Sequence, residues 1–301
     1  SRTVQIHLGG ELQTQHHALI SGIIGSGKSS LLHTIIISML LRYGPEDVQI
    51  CLLDFKRGVE FKIYAESRLQ NFRVISLDTE AEFGLAVLRY LEQEQAERAQ
   101  EFHDKNCDNI EKYNEIAEKD PDGDICRLPR IVVVIDEFHE MFADPESEIS
   151  KECAMLLEQV VRQGRALGIH MVLASQTLPE NLTRIYGQMM NRIVLQSTGD
   201  SAQRILDGDN PAVNTLINVD PGRGIFNDGG GNKDYNHSIR VAYIAPEEKA
   251  QLLARIRDRQ DKVFGAERGA RPRLLLSTIQ DDNENPLNLF VERGSIPQKR
   301  E

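Results

Sequence analysis

The chain has 301 residues, of which 40% are hydrophobic and 27% are charged, as in ordinary soluble globular proteins. This length is enough for one large α/β domain or for two small domains. The formal net charge of −11 excludes a protein that binds polyanions through bulk positive charge, so any contact with DNA must come from local basic loops. Four scattered cysteines without a CxxC pair argue against a disulfide framework and a zinc site.

No apolar run approaches the roughly 20 residues that a membrane-spanning helix needs. The longest run, LLHTIIISMLL, is better explained by a buried helix. The chain begins at Ser1 without a Met, so we expect a cytoplasmic domain of a longer protein, with any membrane anchor in the missing regions.

Apolar runs bounded by polar or glycine-containing turns predict core strands. In chain order these runs are HALIS, VQICLLD, FRVISL, RIVVVID, HMVLAS and RIVLQ. Segments between several of them have helical spacing, such as Leu85, Leu88 and Leu91. Continuous Val/Ile/Leu strands that alternate with helices indicate an α/β fold with a mainly parallel sheet and helices on both faces.

The other segments predict surface structure. The polar segment 104–128 is expected to be a surface excursion, and the glycine-rich NDGGGNKDYN is expected to be a mobile loop. After Pro246 a helix is predicted to about Lys262, followed by an Arg-rich tail that contains prolines. We therefore predict one domain over residues 1–262 and a linker-like tail over residues 263–301.

A phosphate-binding turn is predicted after the first strand. GIIGSGKS matches the pattern G-x-x-x-x-G-K-[ST] and lies between an apolar strand and an apolar helix. Its backbone N–H groups and the start of the helix would surround phosphate oxygens. Lys28 is expected to reach the β- and γ-phosphates of ATP, and the Ser29 hydroxyl to bind Mg²⁺. The predicted nucleotide-binding residues are Gly22, Ile23, Ile24, Gly25, Ser26, Gly27, Lys28, Ser29 and Ser30.

Two acids follow the strand IVVVI. Asp136 is expected to hold Mg²⁺, and Glu137 is placed where a base can polarise an attacking water. The strand HMVLAS ends beside Gln176, which we expect to sense the γ-phosphate; a polar strand end with no such role is an equal alternative. An Asp-Glu pair after an apolar strand favours ATP hydrolysis over a kinase or a small GTPase.

These motifs together resemble the FtsK/SpoIIIE family of motor ATPases. The resemblance extends from about Leu19 to Ile244 and includes LPRIVVVIDEFHEMF, RQGRALGIHMVLASQTL and NRIVLQSTGDSAQRILD. It implies a RecA-like P-loop NTPase core that works in a ring, usually a hexamer, and moves double-stranded DNA. A related branch, the EccC-type ATPases of type VII secretion, engages protein instead. DFKRG stands where DNA pumps usually have DPK, which leaves the choice between DNA and protein open.

The resemblance also implies an arginine that completes the site of the next subunit. The candidates are Arg98, which we favour, Arg165 and Arg192. For each of them, a surface or ion-paired arginine is at least as good an explanation.

Substrate contacts are expected at Lys56, Arg57 and Arg223, whose loops would face the channel of the ring. Repeated around a ring, these few basic residues could track a phosphate backbone, although charges that only solubilise the loops are an equal alternative. A degenerate domain that binds ATP as an assembly switch remains a further alternative to a motor.

Overall fold

The computed structural model describes residues 4–9, 15–56, 60–77, 79–264 and 273–276. Its strands are β1 (Ala18–Ser21), β2 (Val48–Asp54), β3 (Phe72–Leu77), β4 (Arg130–Asp136), β5 (Ile169–Ser175), β6 (Asn191–Val194), β7 (Arg223–Asn227), β8 (Asn236–Arg240) and β9 (Arg273–Leu276). Its helices are α1 (Lys28–Arg42), α2 (Lys62–Ser67), α3 (Ala81–Asp104), α4 (Ile110–Lys119), α5 (Glu148–Leu167), α6 (Thr183–Tyr186), α7 (Gly199–Ile205), α8 (Ala212–Thr215) and α9 (Pro246–Phe264). Within the described ranges, no helix has the length and apolar character needed to cross a membrane.

The strands form one sheet in the order β8-β7-β6-β1-β5-β4-β2-β3-β9. Neighbours from β6 to β9 in this order are parallel, whereas β7 is antiparallel to both β6 and β8. The six predicted strands are β1 to β6, and the prediction of a mainly parallel sheet is confirmed.

The sheet is buried on both faces because successive side chains of its central strands point to opposite sides. Leu19, Leu53 and Val133 pack in one core with α3 and α5. Their neighbours in sequence, represented by Ile20 and Leu52, pack in a second core with α1, α2 and α9. Helices therefore cover both faces, as predicted.

The segment 104–128, expected to be a surface excursion, contains the helix α4. Asn109 caps this helix, since its side chain accepts a hydrogen bond of 2.9 Å from the backbone N–H of Lys112. Ile110 and Tyr113, three residues apart, bury one face of the helix against Phe102 and Leu167. The segment is mostly polar, so its composition did not indicate this short apolar face.

The loop NDGGGNKDYN, expected to be mobile, closes the hairpin of β7 and β8. The amide of Asn227 holds it: its oxygen accepts from Gly229 N (3.1 Å) and Gly231 N (2.7 Å), and its nitrogen donates to Asn232 O (2.7 Å) and Asn236 Oδ1 (2.8 Å). Asn227 is fully buried. The loop is thus held by Asn227 and also by Asn210, whose amide nitrogen donates to Gly231 O at 2.8 Å.

The predicted tail over residues 263–301 lies mostly outside the described residues. Four of its residues, Arg273–Leu276, form β9 and pair with β3, so this part of the tail belongs to the sheet rather than to a linker. The boundary between a domain over 1–262 and a tail stays a prediction.

The structure corrects the expectation for Arg98, which lies inside the domain with only 2% of its surface exposed. Its guanidinium donates to Glu94 Oε1 at 2.9 Å, to the carbonyl of Leu167 at 2.8 Å and to that of Pro129 at 2.9 Å. These partners lie at the ends of α5 and of the segment that enters β4. Because its own domain encloses the guanidinium, Arg98 ties α3 to the sheet and does not project towards a neighbouring subunit.

Truncation of Arg98 is therefore expected to destabilise the domain itself. Arg98→Ala would leave two carbonyls without their donor and Glu94 with Arg73 as its remaining ion-pair partner, and breaking a buried ion pair costs up to about 3–5 kcal/mol. Arg98→Lys should lie between this variant and wild type because an ammonium cannot span all three acceptors. Urea unfolding would measure the loss, with the exposed Arg162→Ala on α5 as the control. Equal unfolding free energies for Arg98→Ala and Arg162→Ala would contradict this role.

Candidate active site

The predicted site residues meet at one edge of the sheet, where β1, β5 and β4 end side by side. Ser21 at the end of β1 is in register with Ser175 at the end of β5, and Asp136 at the end of β4 is opposite Ala174. The carboxyl ends of parallel strands share an edge, so residues more than a hundred positions apart come together there. This edge is where ligands bind in open α/β sheets.

The turn between β1 and α1 is held by four backbone hydrogen bonds. Gly22 N donates to Ser175 O at the end of β5 (3.3 Å). Ile23 N donates to Gln196 O beyond β6 (2.8 Å), Ser26 N donates to Ile23 O (3.1 Å), and Gly222 N donates to Ser26 O (2.8 Å). The turn therefore rests on the segment after β6 and on the turn that precedes β7.

The turn carries donors that fit an anionic phosphate group. The Ser26 hydroxyl is buried and has no hydrogen-bond partner among the described residues. Lys28 is 6% exposed at the start of α1, where the first backbone N–H groups have no partner within the helix. Ser29 and Ser30 are half-buried in the same helical turn, whereas Ile24 is 73% exposed. All but Ile24 thus line or support the turn; Ile24 can contribute only its backbone.

Lys28 lies between the two predicted acids. Its ammonium donates to Asp136 Oδ1 and, at 2.7 Å, to Glu137 Oε1. The two acids are 1% and 2% exposed. A buried carboxylate is costly without a partner, so the three groups stabilise one another.

Glu137 is also held by Gln176, whose backbone N–H donates to Oε2 at 3.0 Å and whose side-chain amide donates to Oε1 at 2.6 Å. Its backbone has a left-handed conformation, with φ of 53°, which a non-glycine residue rarely adopts. The backbone conformation and the three donated hydrogen bonds orient the carboxylate towards the phosphate-binding turn.

Burial and charge separate the two acids. Burial raises the pKa of Asp136, and the Lys28 ammonium offsets this only in part. Burial also acts to raise the pKa of Glu137, but Lys28 and the Gln176 donors outweigh it and hold that pKa below its usual value. Glu137 is therefore an ionised carboxylate, the form that can accept a proton or orient a water.

Two residues of the site were not predicted to act there. Asp54 at the end of β2 is fully buried beside Asp136, and burial together with the Asp136 charge raises its pKa to about 6 against a hydrogen bond from Lys56 N. The sequence contained a pattern that could have predicted this position for Asp54, since the apolar strand VQICLLD also ends with an acid. His139, three residues after the end of β4, also lies at the site: its Nδ1 is 2.8 Å from Ser175 Oγ and 3.4 Å from Glu137 Oε2.

Those predicted substrate residues that the structure describes lie near the same edge of the sheet. Lys56 is exposed two residues after the end of β2, and Arg57 lies outside the described residues. Arg223 is exposed at the start of β7, directly after Gly222, and its Nε lies 3.4 Å from Asp220.

The other two candidate arginines differ in exposure. Arg192 is buried and donates to the carbonyls of Met189 at 3.0 Å and Tyr186 at 2.9 Å, so its guanidinium is engaged within the domain. Arg165 is exposed near the end of α5.

A glycine-rich turn that leads a central parallel strand into a helix, with a lysine facing an acidic strand end, defines a P-loop NTPase with a RecA-like sheet. The chain belongs to the FtsK/SpoIIIE family, whose model matches residues 8–180, more than half of the chain.

Relatives of two kinds are similar to this chain. It is 34% identical over 190 residues to the ESX-5 secretion system protein EccC5 of Mycobacterium tuberculosis (strain ATCC 25618 / H37Rv), which covers 62% of this chain and 13% of that protein. It is 30% identical over 267 residues to the DNA translocase FtsK of Treponema pallidum (strain Nichols), which covers 82% of this chain and 29% of that protein. The chain thus spans less than a third of the length of either relative.

The fold is shared with a solved secretion ATPase. The cytoplasmic domain of the type VII secretion ATPase EccC from Thermomonospora curvata superposes with a TM-score of 0.71 at 24% identity. The match covers 91% of this chain and 31% of that chain. The RecA-like P-loop architecture is confirmed by this similarity.

The close contact between the turn and the segment before β7 can be tested with glycine substitutions. A Cβ on Gly27 (φ 100°) would lie 3.1 Å from Gly222 Cα and 3.3 Å from Gly222 N, whereas one on Gly25 (φ 81°) would meet no atom within 4 Å. Left-handed backbone alone costs a side chain roughly 1–2 kcal/mol, so Gly25→Ala should lose about that much. Gly27→Ala should lose more because Gly222 must move.

The measurement is the free energy of unfolding without nucleotide. Gly208→Ala is the control, because a Cβ there meets nothing and the backbone is not left-handed. If Gly27→Ala proved no less stable than Gly25→Ala, the contact with Gly222 would not constrain the turn.

Proposed function

We propose that this chain is the ATP-hydrolysing motor domain of a ring-forming translocase that moves double-stranded DNA. The observation that carries the proposal is the ionised Glu137 carboxylate, held by Gln176 and facing Lys28 at the phosphate-binding turn. A domain that only binds ATP has no need of a strained, oriented carboxylate at that point.

In this proposal each residue has one task. Lys28 moves its ammonium from the two acids to the β- and γ-phosphates, and the N–H groups of the turn hold the phosphate oxygens. Ser29 and Asp136 supply the oxygen ligands for Mg²⁺. When bound, Mg²⁺ would offset phosphate charge and polarise the phosphoryl oxygens.

Glu137 would orient the attacking water and accept its proton, for which its ionised form is required. Gln176 keeps the carboxylate in place and, from its position at the end of β5, is suited to sense the γ-phosphate. When Lys28 leaves Glu137 to engage phosphate, Glu137 Oε1 loses one of its two donors and the carboxylate remains held by Gln176.

Ring assembly, a hexamer in the full-length protein, is carried over from the family resemblance, as is placement in the cytoplasm as part of a larger protein. Arg98 and Arg192 are engaged inside the domain, so of the three candidate arginines only Arg165 is exposed for contact with a second subunit.

Double-stranded DNA is the first candidate substrate. The similarity to a protein named DNA translocase FtsK extends over 82% of this chain. Lys56, Arg57 and Arg223 would be the basic contacts, at the edge of the sheet that carries the nucleotide site. Several subunits would multiply these few charges along a phosphate backbone.

A protein substrate is the second candidate. It is favoured by the similarity to EccC5, a protein named for a secretion system, and by the pairing of Arg223 with Asp220. A net charge of −11 also disfavours a polyanion such as DNA as the substrate.

Hydrolysis is tested by Glu137→Gln. Loss of the base should lower ATP turnover by about 10²–10⁴-fold while ATP is still bound. Glu140→Gln, three residues away with an exposed side chain, is the matched control and should turn over ATP like wild type. Turnover by Glu137→Gln within a factor of two of wild type would refute the assignment.

The substrate is tested by ATP turnover with and without linear double-stranded DNA, at low and moderate salt. We expect stimulation by DNA that weakens with salt and is reduced several-fold in the double variant Lys56→Ala/Arg223→Ala. Lys119→Ala/Arg162→Ala removes the same charges from α4 and α5 and should retain stimulation. Steady turnover that ignores DNA would favour a protein substrate, and ATP binding without turnover would favour an assembly switch.

A further inference from the structure

The segment between β8 and α9 lies against the first two turns of α1, next to the phosphate-binding turn. Val241 N donates to Gly222 O at 2.7 Å, and the Thr34 hydroxyl lies 3.1 Å from Ala242 O and 2.8 Å from Ser30 O. The backbone of the segment is therefore fixed at two successive residues. One attachment leads to the turn before β7, and the other leads to α1.

Gly222 connects this segment with the phosphate-binding turn. Its N–H donates to Ser26 O at 2.8 Å, while its carbonyl accepts from Val241 N. A single residue thus separates the phosphate-binding turn from the segment after β8. Backbone hydrogen bonds set the position of the segment relative to bound phosphate.

The strand order indicates on which side of the turn a nucleotide base would lie. Asp136 and Glu137, which contact Lys28, lie at the end of β4, and β5 separates β4 from β1. In the proposed site the γ-phosphate is on that side, and the base is at the opposite end of the triphosphate chain. We therefore expect the base on the other side of β1, where β6, β7 and β8 lie and where the segment after β8 meets α1.

Tyr243 supplies an aromatic ring to this segment. It directly follows the two fixed residues and is 74% exposed, more than any other large hydrophobic side chain in the described part of the chain. An exposed ring on a backbone that is already held can make a contact with little further loss of conformational freedom. The ring is thus available to a flat partner at the place where the base is expected.

We propose that Tyr243 is the residue on which the adenine base of ATP stacks. Nucleobases stack on the faces of aromatic side chains, and this contact needs no hydrogen bond to the edge of the base. Stacking would also remove the exposed ring from water. This inference rests on the proposed function, since it assigns a binding residue to the base of the nucleotide that is hydrolysed. Phosphate and base would then both be positioned through Gly222.

The test compares Tyr243→Ala with the matched control Tyr235→Ala, which removes a tyrosine that is 50% exposed in the loop between β7 and β8. The measured quantities are the affinities for ATPγS and for inorganic tripolyphosphate, which has the phosphate chain but no base, both with Mg²⁺. Loss of a stacking residue costs about tenfold in affinity. Tyr243→Ala should therefore bind ATPγS about tenfold more weakly than wild type and tripolyphosphate equally well, and Tyr235→Ala should bind both like wild type.

Tyr243→Phe keeps the ring and should bind ATPγS like wild type; thermal unfolding checks that all variants are folded. Wild-type affinity of Tyr243→Ala for ATPγS would overturn the inference and leave the proposed function intact. An equal loss of affinity for ATPγS and tripolyphosphate would also overturn it, because the residue would then act on the shape of the phosphate-binding turn. A wild-type chain that binds neither compound would instead refute the proposed function, and this inference with it.

Discussion

The Lys28 ammonium between the buried carboxylates of Asp136 and Glu137 is the interaction on which the site depends. Two negative charges share one positive charge in a place with little water, which is stable only while all three remain together. The strand order β1-β5-β4 brings them together. Only β5 lies between β1, which leads to Lys28, and β4, which ends at the two acids. An entering phosphate must compete with two carboxylates for one ammonium. We therefore expect nucleotide to enter with its counter-cation rather than as a bare anion.

Much of the fold follows from the sequence because the central strands are buried on both faces. Such strands are continuous apolar runs, and RIVVVID or VQICLLD has no other good explanation in a chain of this kind. The hairpin of β7 and β8 was not predicted, since RGIFN and NHSIR are short, partly polar and lie at the edge of the sheet. The role of Asn227 in that hairpin depends on the final path of the loop, which no local pattern specifies.

The site, like the fold, contains residues that the sequence predicted and residues that it did not. Lys28, Asp136 and Glu137 were predicted because each follows a strand and the spacing of the turn is specific. Arg98 was misjudged, because its pairing with Glu94 one helical turn earlier looks like an exposed helix pair, and its other acceptors are carbonyls far away in sequence.

The turn before β7 touches the phosphate-binding turn through its backbone and reaches outward through its side chain. Gly222 donates to Ser26 O and would have to shift to accommodate a Cβ on Gly27, while the neighbouring residue 223 has an exposed side chain. The two neighbouring positions are therefore constrained differently. Gly222 is constrained by its contact with the phosphate-binding turn, whereas the side chain at position 223 can change in charge or size without altering that contact. In the proposed translocase, the substrate contact at position 223 could therefore change while the phosphate-binding turn keeps its shape.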